Sequence, residues 1–349
     1  MNGKQNMSER ENKLNIDIVE LMITNECTHH CPYCYANATI DKNKVKHASF
    51  ETLVNIIREF KRNNIAMVAL LGGDPVRHPE FSKIVKQVKD NGMRVSVMSN
   101  TMQVANIEEI APIIDNIDTT LHGRNSSEHD SFCHKTGAYE LLIKNLVEFS
   151  KYDISINIAI NLIPQTYNKV YQMTEAVIKR GVHVSGLLFQ RILSYGRASR
   201  KDVWSIDYKQ VNIALEQAAK LEQMYGIEIR VEDPYPLCYI DPRFRKYMHG
   251  CPEGKSRIAV SMEGLVSRCG ADPNYEAFNI LEMPLEKIWY DTNLFKGFRD
   301  KDYLLPDCRE CKLLDVCEGG CPICCEQCNL CGKNYLREFG LGEVSPYNK

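Results

Sequence analysis

Apolar runs and amphipathic stretches alternate regularly along the first two thirds of the chain. Short strand-like segments at 16–23, 67–71, 94–98, 117–121, 155–162 and 184–189, five to eight residues long, read as strands. Between them lie stretches with apolar residues at helical spacing, at 50–63, 79–91, 107–114, 138–150 and 167–180, and a sixth follows at 208–225. Gly92 and Gly181 stand where helices should stop before the next strand. Strands joined by crossover helices are parallel. Six such units are too few for a closed eight-stranded barrel. The pattern predicts an α/β chain built as an open, partial (β/α)6 TIM-like barrel.

Composition changes this picture at both ends. Residues 1–15 are polar and charged and read as a disordered tail, with no apolar segment of a secretory signal. No apolar run is long enough for a bilayer. These features predict a cytoplasmic protein with no membrane partner. At 349 residues, two domains are expected. The alternation ends near residue 232. Pro234, Pro236 and Pro242 then mark a linker, and the cysteine density rises sharply behind it. The expected division is therefore a core at 16–232 and a cysteine-rich domain at 233–349. A formal charge of −2 offers no field for a polyanion, so nucleic acid is not an expected partner. Fifteen cysteines in a reducing compartment point to metal or cluster ligation rather than to disulfides.

Polar residues of unusual kinds fall at the C-terminal ends of the expected strands. Cys27-Thr-His-His-Cys31-Pro-Tyr-Cys34 follows the first, Gly72-Gly73-Asp74-Pro75 the second and Ser99-Asn100 the third. His122-Gly123, Asn161 and Gln190-Arg191 end the next three. That rim is where barrel active sites are built. Three thiolates can hold three corners of a four-iron cluster, leaving one iron open to a substrate. The plainer reading of the loop is structural zinc with His29 or His30 as fourth ligand. A zinc ribbon is the plainer reading of Cys308–Cys321. Taken singly, Gly72-Gly73 would be a tight turn and Ser99-Asn100 a helix cap. Cys133 and Cys238 would be small buried hydrophobes. The arginines of 189–201 and 243–246 would form a solvated basic face.

Together, the Cys-x3-Cys-x2-Cys loop and the later cysteines resemble the radical S-adenosylmethionine (radical SAM) enzymes that carry a C-terminal SPASM iron–sulfur domain. The resemblance covers residues 16–331. It implies that Cys27, Cys31 and Cys34 bind a [4Fe-4S] cluster whose fourth iron is chelated by SAM. Gly72, Gly73, Asp74 and Pro75 match the family's Gly-Gly-Glu-Pro segment, with Asp for Glu, and Ser99 and Asn100 match its polar SAM-contacting pair. The arginine many members carry after the fourth strand has Cys133 as its nearest counterpart. The SAM carboxylate contact then passes to His134, Lys135 or Arg191, of which Arg191 is the assigned residue. Cys251-x12-Gly264-x4-Cys269 and Cys308-x2-Cys311-x5-Cys317-x3-Cys321 agree with the SPASM pattern. On that pattern Cys251, Cys269 and Cys321, with Cys238 as a fourth ligand, hold one auxiliary cluster. Cys308, Cys311 and Cys317 hold the other, with a further ligand among Cys324, Cys325, Cys328 and Cys331, of which Cys331 is chosen.

The resemblance also implies the reaction: reductive SAM cleavage gives a 5′-deoxyadenosyl radical that oxidatively modifies or cross-links a ribosomally synthesised peptide. Other expectations are an anaerobic sulfatase-maturase-like enzyme, or an oxidase of a haem precursor or sugar. From another class comes a zinc-binding interaction module. The expected partners are the peptide, a separate leader-peptide-binding protein or direct binding, and a flavodoxin or ferredoxin-type electron donor. No catalytic base is assigned.

Overall fold

The computed structural model describes residues 14–324, apart from 105, 194, 199–203 and 273–277. One nine-stranded sheet organises them. Its strands are β1 (Ile18–Thr24), β2 (Met67–Gly72), β3 (Arg94–Met98), β4 (Asn116–Thr120), β5 (Ser155–Asn161), β6 (Gly186–Gln190), β7 (Glu228–Val231), β8 (Arg257–Val260) and β9 (Val266–Ser267). The order across the sheet is β7-β6-β5-β4-β3-β2-β1-β8-β9, with every pair parallel except β8 and β9. The order is linear, so the barrel is open, as the six-unit pattern predicts.

Helices cover the outer face for the expected reason. In α1 (Phe50–Arg62), Leu53, Ile56, Ile57 and Phe60 are buried at helical spacing. Ser49 caps its start, with the Thr52 N–H donating to the Ser49 side chain. Each such buried side chain contributes about 1.5–3 kcal/mol. Next come α2 (Phe81–Asp90), α3 (Ile107–Ile110), α4 (Ser126–Cys133), α5 (Ala138–Phe149), α6 (Val170–Lys179) and α7 (Tyr208–Tyr225). Asp207 and Gln210 form a reciprocal capping box at the start of α7, and Gly226 ends it at φ 68°. The expected helix at 107–114 is a single α turn followed by a 3-10 turn at Ala111–Ile113, because Pro112 has no N–H to continue the ladder.

The sequence pattern misses three strands. The most consequential is β8, which comes from the cysteine-rich segment and pairs with β1 from Ile18↔Arg257 to Leu21↔Val260. A second tie joins that segment to the core: the Leu285 N–H donates to Glu59 Oε1 of α1 at 3.0 Å. Among the described residues no helix is long and apolar enough to cross a membrane.

Candidate active site

The loop carrying Cys27, Cys31 and Cys34 leaves the sheet at the C-terminal end of β1 and is held from three sides. The Cys27 N–H donates to Thr39 O at 3.0 Å. Glu26, beside Cys27, is buried and pairs with Arg77 at 3.0 Å and Lys42 at 2.5 Å. Burial opposes its charge, but hydrogen bonds from Lys42 and Arg77 hold its carboxyl below the usual carboxylate range. From the second side, the end of β2 runs flush against the loop. The Gly73 N–H donates to Thr24 O and the Asp74 N–H to Glu26 O, each at 2.7 Å. A Cβ on Gly72 would lie 2.1 Å from Thr24 O, and one on Gly73 2.2 Å from Glu26 O. The two glycines therefore have a packing role ahead of any contact with SAM.

The third support is not legible in the sequence. Arg197 follows β6, inside the stretch read as a solvated basic face. Its Nε donates to Cys31 O at 2.8 Å, its guanidinium to Ala38 O at 2.6 Å, and its backbone N–H to Cys34 O at 3.0 Å. Gly196 lets this turn approach, since a Cβ there would meet Cys34 O at 2.4 Å.

A cavity of about 510 Å³ opens beside the loop. Cys27, Cys31 and Cys34 line it together with Gly72, Gly73, Ser99, Asn100 and Arg191. Asp74 and Pro75 are buried behind the wall. Asp74 Oδ1 accepts from Ser99 Oγ at 2.7 Å, while Oδ2 is buried with no hydrogen-bond partner among the described residues. Burial pushes the Asp74 carboxyl up to about 6, against the hydrogen bond from Ser99. Asn100 Nδ2 donates to Cys27 Sγ at 3.6 Å. The Arg191 guanidinium lies 4.4 Å from the centre of the Tyr235 ring. Of the other candidates for the SAM carboxylate, His134 is exposed beyond α4 and neither it nor Lys135 lines the cavity. Cys133 is fully buried behind Cys31, and its carbonyl accepts from the His30 N–H at 3.0 Å. Burial pushes the Cys27 thiol up to about 12 and the Cys31 thiol higher still. Buried thiols of this kind ionise when a metal supplies the opposing charge.

The barrel lumen below is polar. Asp118 Oδ2 accepts from Ser96 Oγ at 3.0 Å, and Asp118 Oδ1 from Asn157 Nδ2 at 2.7 Å. Arg257 on β8 faces Glu232 at 3.1 Å, Glu253 at 3.6 Å and Glu20 at 3.7 Å. Burial pushes the Glu20 and Glu253 carboxyls up, Arg257 pulling the other way. The signal was present as single polar residues inside apolar strands, such as Glu20 in Ile18–Thr24.

The later cysteines divide into two groups. Cys251, Cys269 and Cys321 line the same cavity as the N-terminal three. The pattern's glycine, Gly264, turns the chain from β8 to β9 at φ 88°. Cys238, expected with this group, stands in the 3-10 turn Leu237–Tyr239. Burial first, then the neighbouring Cys317, Cys308 and Cys311 thiols, push the Cys238 thiol up to about 12. The linker runs along the 317–321 segment: the Leu237 N–H donates to Cys317 Sγ at 3.2 Å and the Cys321 N–H to Pro234 O at 3.0 Å. Cys324 is buried against Leu193, Phe298 and Cys321. Cys325, Cys328 and Cys331 lie outside the described residues. Among the described residues no group of three or more His, Cys, Asp or Glu side chains is gathered closely enough for a single metal ion. A four-iron cluster keeps its thiolates apart with its own iron and sulfide.

Comparison with known proteins places this geometry. The Radical SAM superfamily matches residues 21–177, and the SPASM iron–sulfur cluster-binding domain matches 251–312. A PqqA peptide cyclase of Rhizobium meliloti is 25% identical over 313 residues, covering 86% of this chain and 80% of the relative. An AdoMet-dependent heme synthase of Methanosarcina barkeri is 24% identical over 324 residues, covering 85% and 88%. Among solved structures, Streptococcus suis SuiB bound to S-adenosylmethionine superposes with a TM-score of 0.73 at 17% identity, over 89% of this chain and 74% of that one. Native anSMEcpe with bound AdoMet gives 0.67 at 16%, over 88% and 90%. At these identities the structures share the fold.

Proposed function

Because the chain belongs to the radical SAM superfamily, with a SPASM iron–sulfur domain behind its core, we propose that it oxidatively modifies or cross-links a ribosomally made peptide. Cys27, Cys31 and Cys34 would hold a [4Fe-4S] cluster, leaving one iron for SAM. Bound there, the cluster and SAM supply one-electron cleavage of the sulfonium, giving methionine and a hydrogen-abstracting 5′-deoxyadenosyl radical.

The chain's own residues prepare this step. Gly73, Glu26 and Arg197 keep the loop in one shape. Asp74, buried behind the wall beside Cys27, holds Ser99 at the cavity edge through its Oδ1 at 2.7 Å. Ser99 and Asn100 face the cavity next to it, and Arg191 lends a cation for the SAM carboxylate.

One observation carries the oxidative reading. Cys251, Cys269 and Cys321 line the same cavity as Cys27, Cys31 and Cys34. Cys251, Cys269 and Cys321 would hold an auxiliary cluster there, which would supply an electron acceptor for a substrate bound between the two thiol groups. The peptide class is supported by the PqqA peptide cyclases and by the fold shared with SuiB, which has been seen bound to its precursor peptide SuiA. The M. barkeri heme synthase supports a second reading, a haem precursor. The wall weighs against it, because Arg257 already faces three carboxylates and the propionates of a tetrapyrrole are anionic. A flavodoxin or ferredoxin-type donor and a separate leader-binding protein complete the proposal.

The test is anaerobic incubation with SAM, a one-electron reductant and a candidate precursor peptide. The expected product is a peptide lighter by about 2 Da per modification, the mass of two hydrogens. Turnover of a haem precursor with no change in the peptide would replace this reading with the second.

A further inference from the structure

Cys308, Cys311 and Cys317 form a compact turn-rich unit. The Cys311 N–H donates to Cys308 O at 3.1 Å, the Leu313 N–H to Cys311 Sγ at 3.4 Å and the Cys317 N–H to Leu313 O at 2.8 Å. A cubane needs a fourth ligand beyond these three. Expectation places it downstream, at Cys331. The described residues offer a thiol from the opposite direction in the chain.

That thiol is Cys238, in the 3-10 turn Leu237–Tyr239. The turn sits directly on the Cys317 sulfur, through the hydrogen bond from the Leu237 N–H at 3.2 Å, across 80 residues of sequence. Its approach is built in. Gly320 lies against the linker, with its Cβ position 3.0 Å from Pro234 O and 3.1 Å from Pro236. Leu237 is buried in the main core, and Cys317 packs against that same core.

We infer that Cys238 is the fourth ligand of the second auxiliary cluster, completing Cys238, Cys308, Cys311 and Cys317. The cluster then fastens the proline-rich linker to the cysteine-rich segment, and Cys331 is not needed for it. The inference rests on reading the Cys308–Cys321 segment as cluster-binding.

Iron and acid-labile sulfide per chain, measured on anaerobically reconstituted full-length protein, test the assignment without any turnover. Three four-iron clusters give about twelve irons. Cys238→Ala and Cys308→Ala should each lose about four, and the double variant no more than either alone. Cys238→Ala combined with Cys251→Ala should lose about eight. Cys238→Asp, which restores an anionic oxygen ligand, should recover iron that Cys238→Ala lacks, separating ligation from a folding defect. Cys331→Ala should keep the full complement. The inference is overturned if Cys238→Ala keeps all its iron, if Asp at this position recovers none, if the losses at Cys238 and Cys308 add, or if Cys331→Ala loses the iron that Cys308→Ala loses. Should Cys308→Ala lose no iron, the cluster-binding reading of the segment itself fails, which is a distinct result.

Discussion

The guanidinium of Arg197 donates to the backbone carbonyl of Cys31 at 2.8 Å, reaching back across 166 residues to the loop that carries the first three thiols. The same side chain bonds Ala38 O, so one arginine spans the loop. Removing it strips a charged donor from two carbonyls, at about 1.5–3 kcal/mol for a hydrogen bond to a charged group. Arg197→Ala should lower stability by roughly 2–4 kcal/mol and reduce iron at the N-terminal cluster. Lysine cannot reproduce the fork and should rescue only part. Chemical denaturation and iron analysis check this, and an unchanged midpoint and iron content would contradict it.

Gly73→Ala should be more severe. The new Cβ would lie 2.2 Å from Glu26 O, and the atom it meets is backbone. Expected outcomes are a lower melting temperature and no cluster at the N-terminal loop. Gly297→Ala is the control of opposite sign. Its Cβ would meet nothing nearer than Asp302 Oδ2 at 3.8 Å, and it lies in the helical turn Lys296–Arg299. It should raise stability by about 0.5–1 kcal/mol.

Asn100 donates to Cys27 Sγ at 3.6 Å. A hydrogen bond to a ligand sulfur favours the reduced, more negative cluster and raises its potential. Asn100→Leu should lower the potential of the N-terminal cluster, on the order of tens of millivolts, in a redox titration followed by electron paramagnetic resonance. An unchanged potential would show that the contact does not tune the site.

Glu128 provides a pH test away from the thiols. The Arg124 side chain, then its backbone N–H and Lys169, hold the Glu128 carboxyl down at about 2, against partial burial. A carboxylate depressed in the folded state stabilises above its unfolded value near 4.5, and that stability fades as pH falls through 2. The side chain is 24% exposed, so screening reduces the effect to about 1 kcal/mol. Glu128→Gln should therefore be less stable than wild type by that amount at pH 7, with the gap closing towards pH 2. Paired urea midpoints at pH 7 and pH 3 measure it, and a gap that widens on acidification would be inconsistent with the ion pair.

The six strands from β1 to β6 were legible because they recur between amphipathic helical stretches and end in glycine or polar turns. β7 and β8 were not. Glu228–Val231 and Arg257–Val260 are four residues long and carry charges that turn into the polar lumen, which breaks the apolar run. The cysteine loop was legible because ligand spacing is local. Arg197 and Leu237, next to Cys238, make contacts across 166 and 80 residues, which no local period records. Asp74 was legible by its place in the motif, but its burial behind the cavity wall, bonded to Ser99, was not.

The central claim is that the thiolates of Cys27, Cys31 and Cys34 leave one iron open for SAM. The most direct measurement is 5′-deoxyadenosine formed from SAM by anaerobic, dithionite-reduced protein, comparing wild type with Cys31→Ala. The account predicts formation by wild type and none by the variant. Equal formation by both would contradict it.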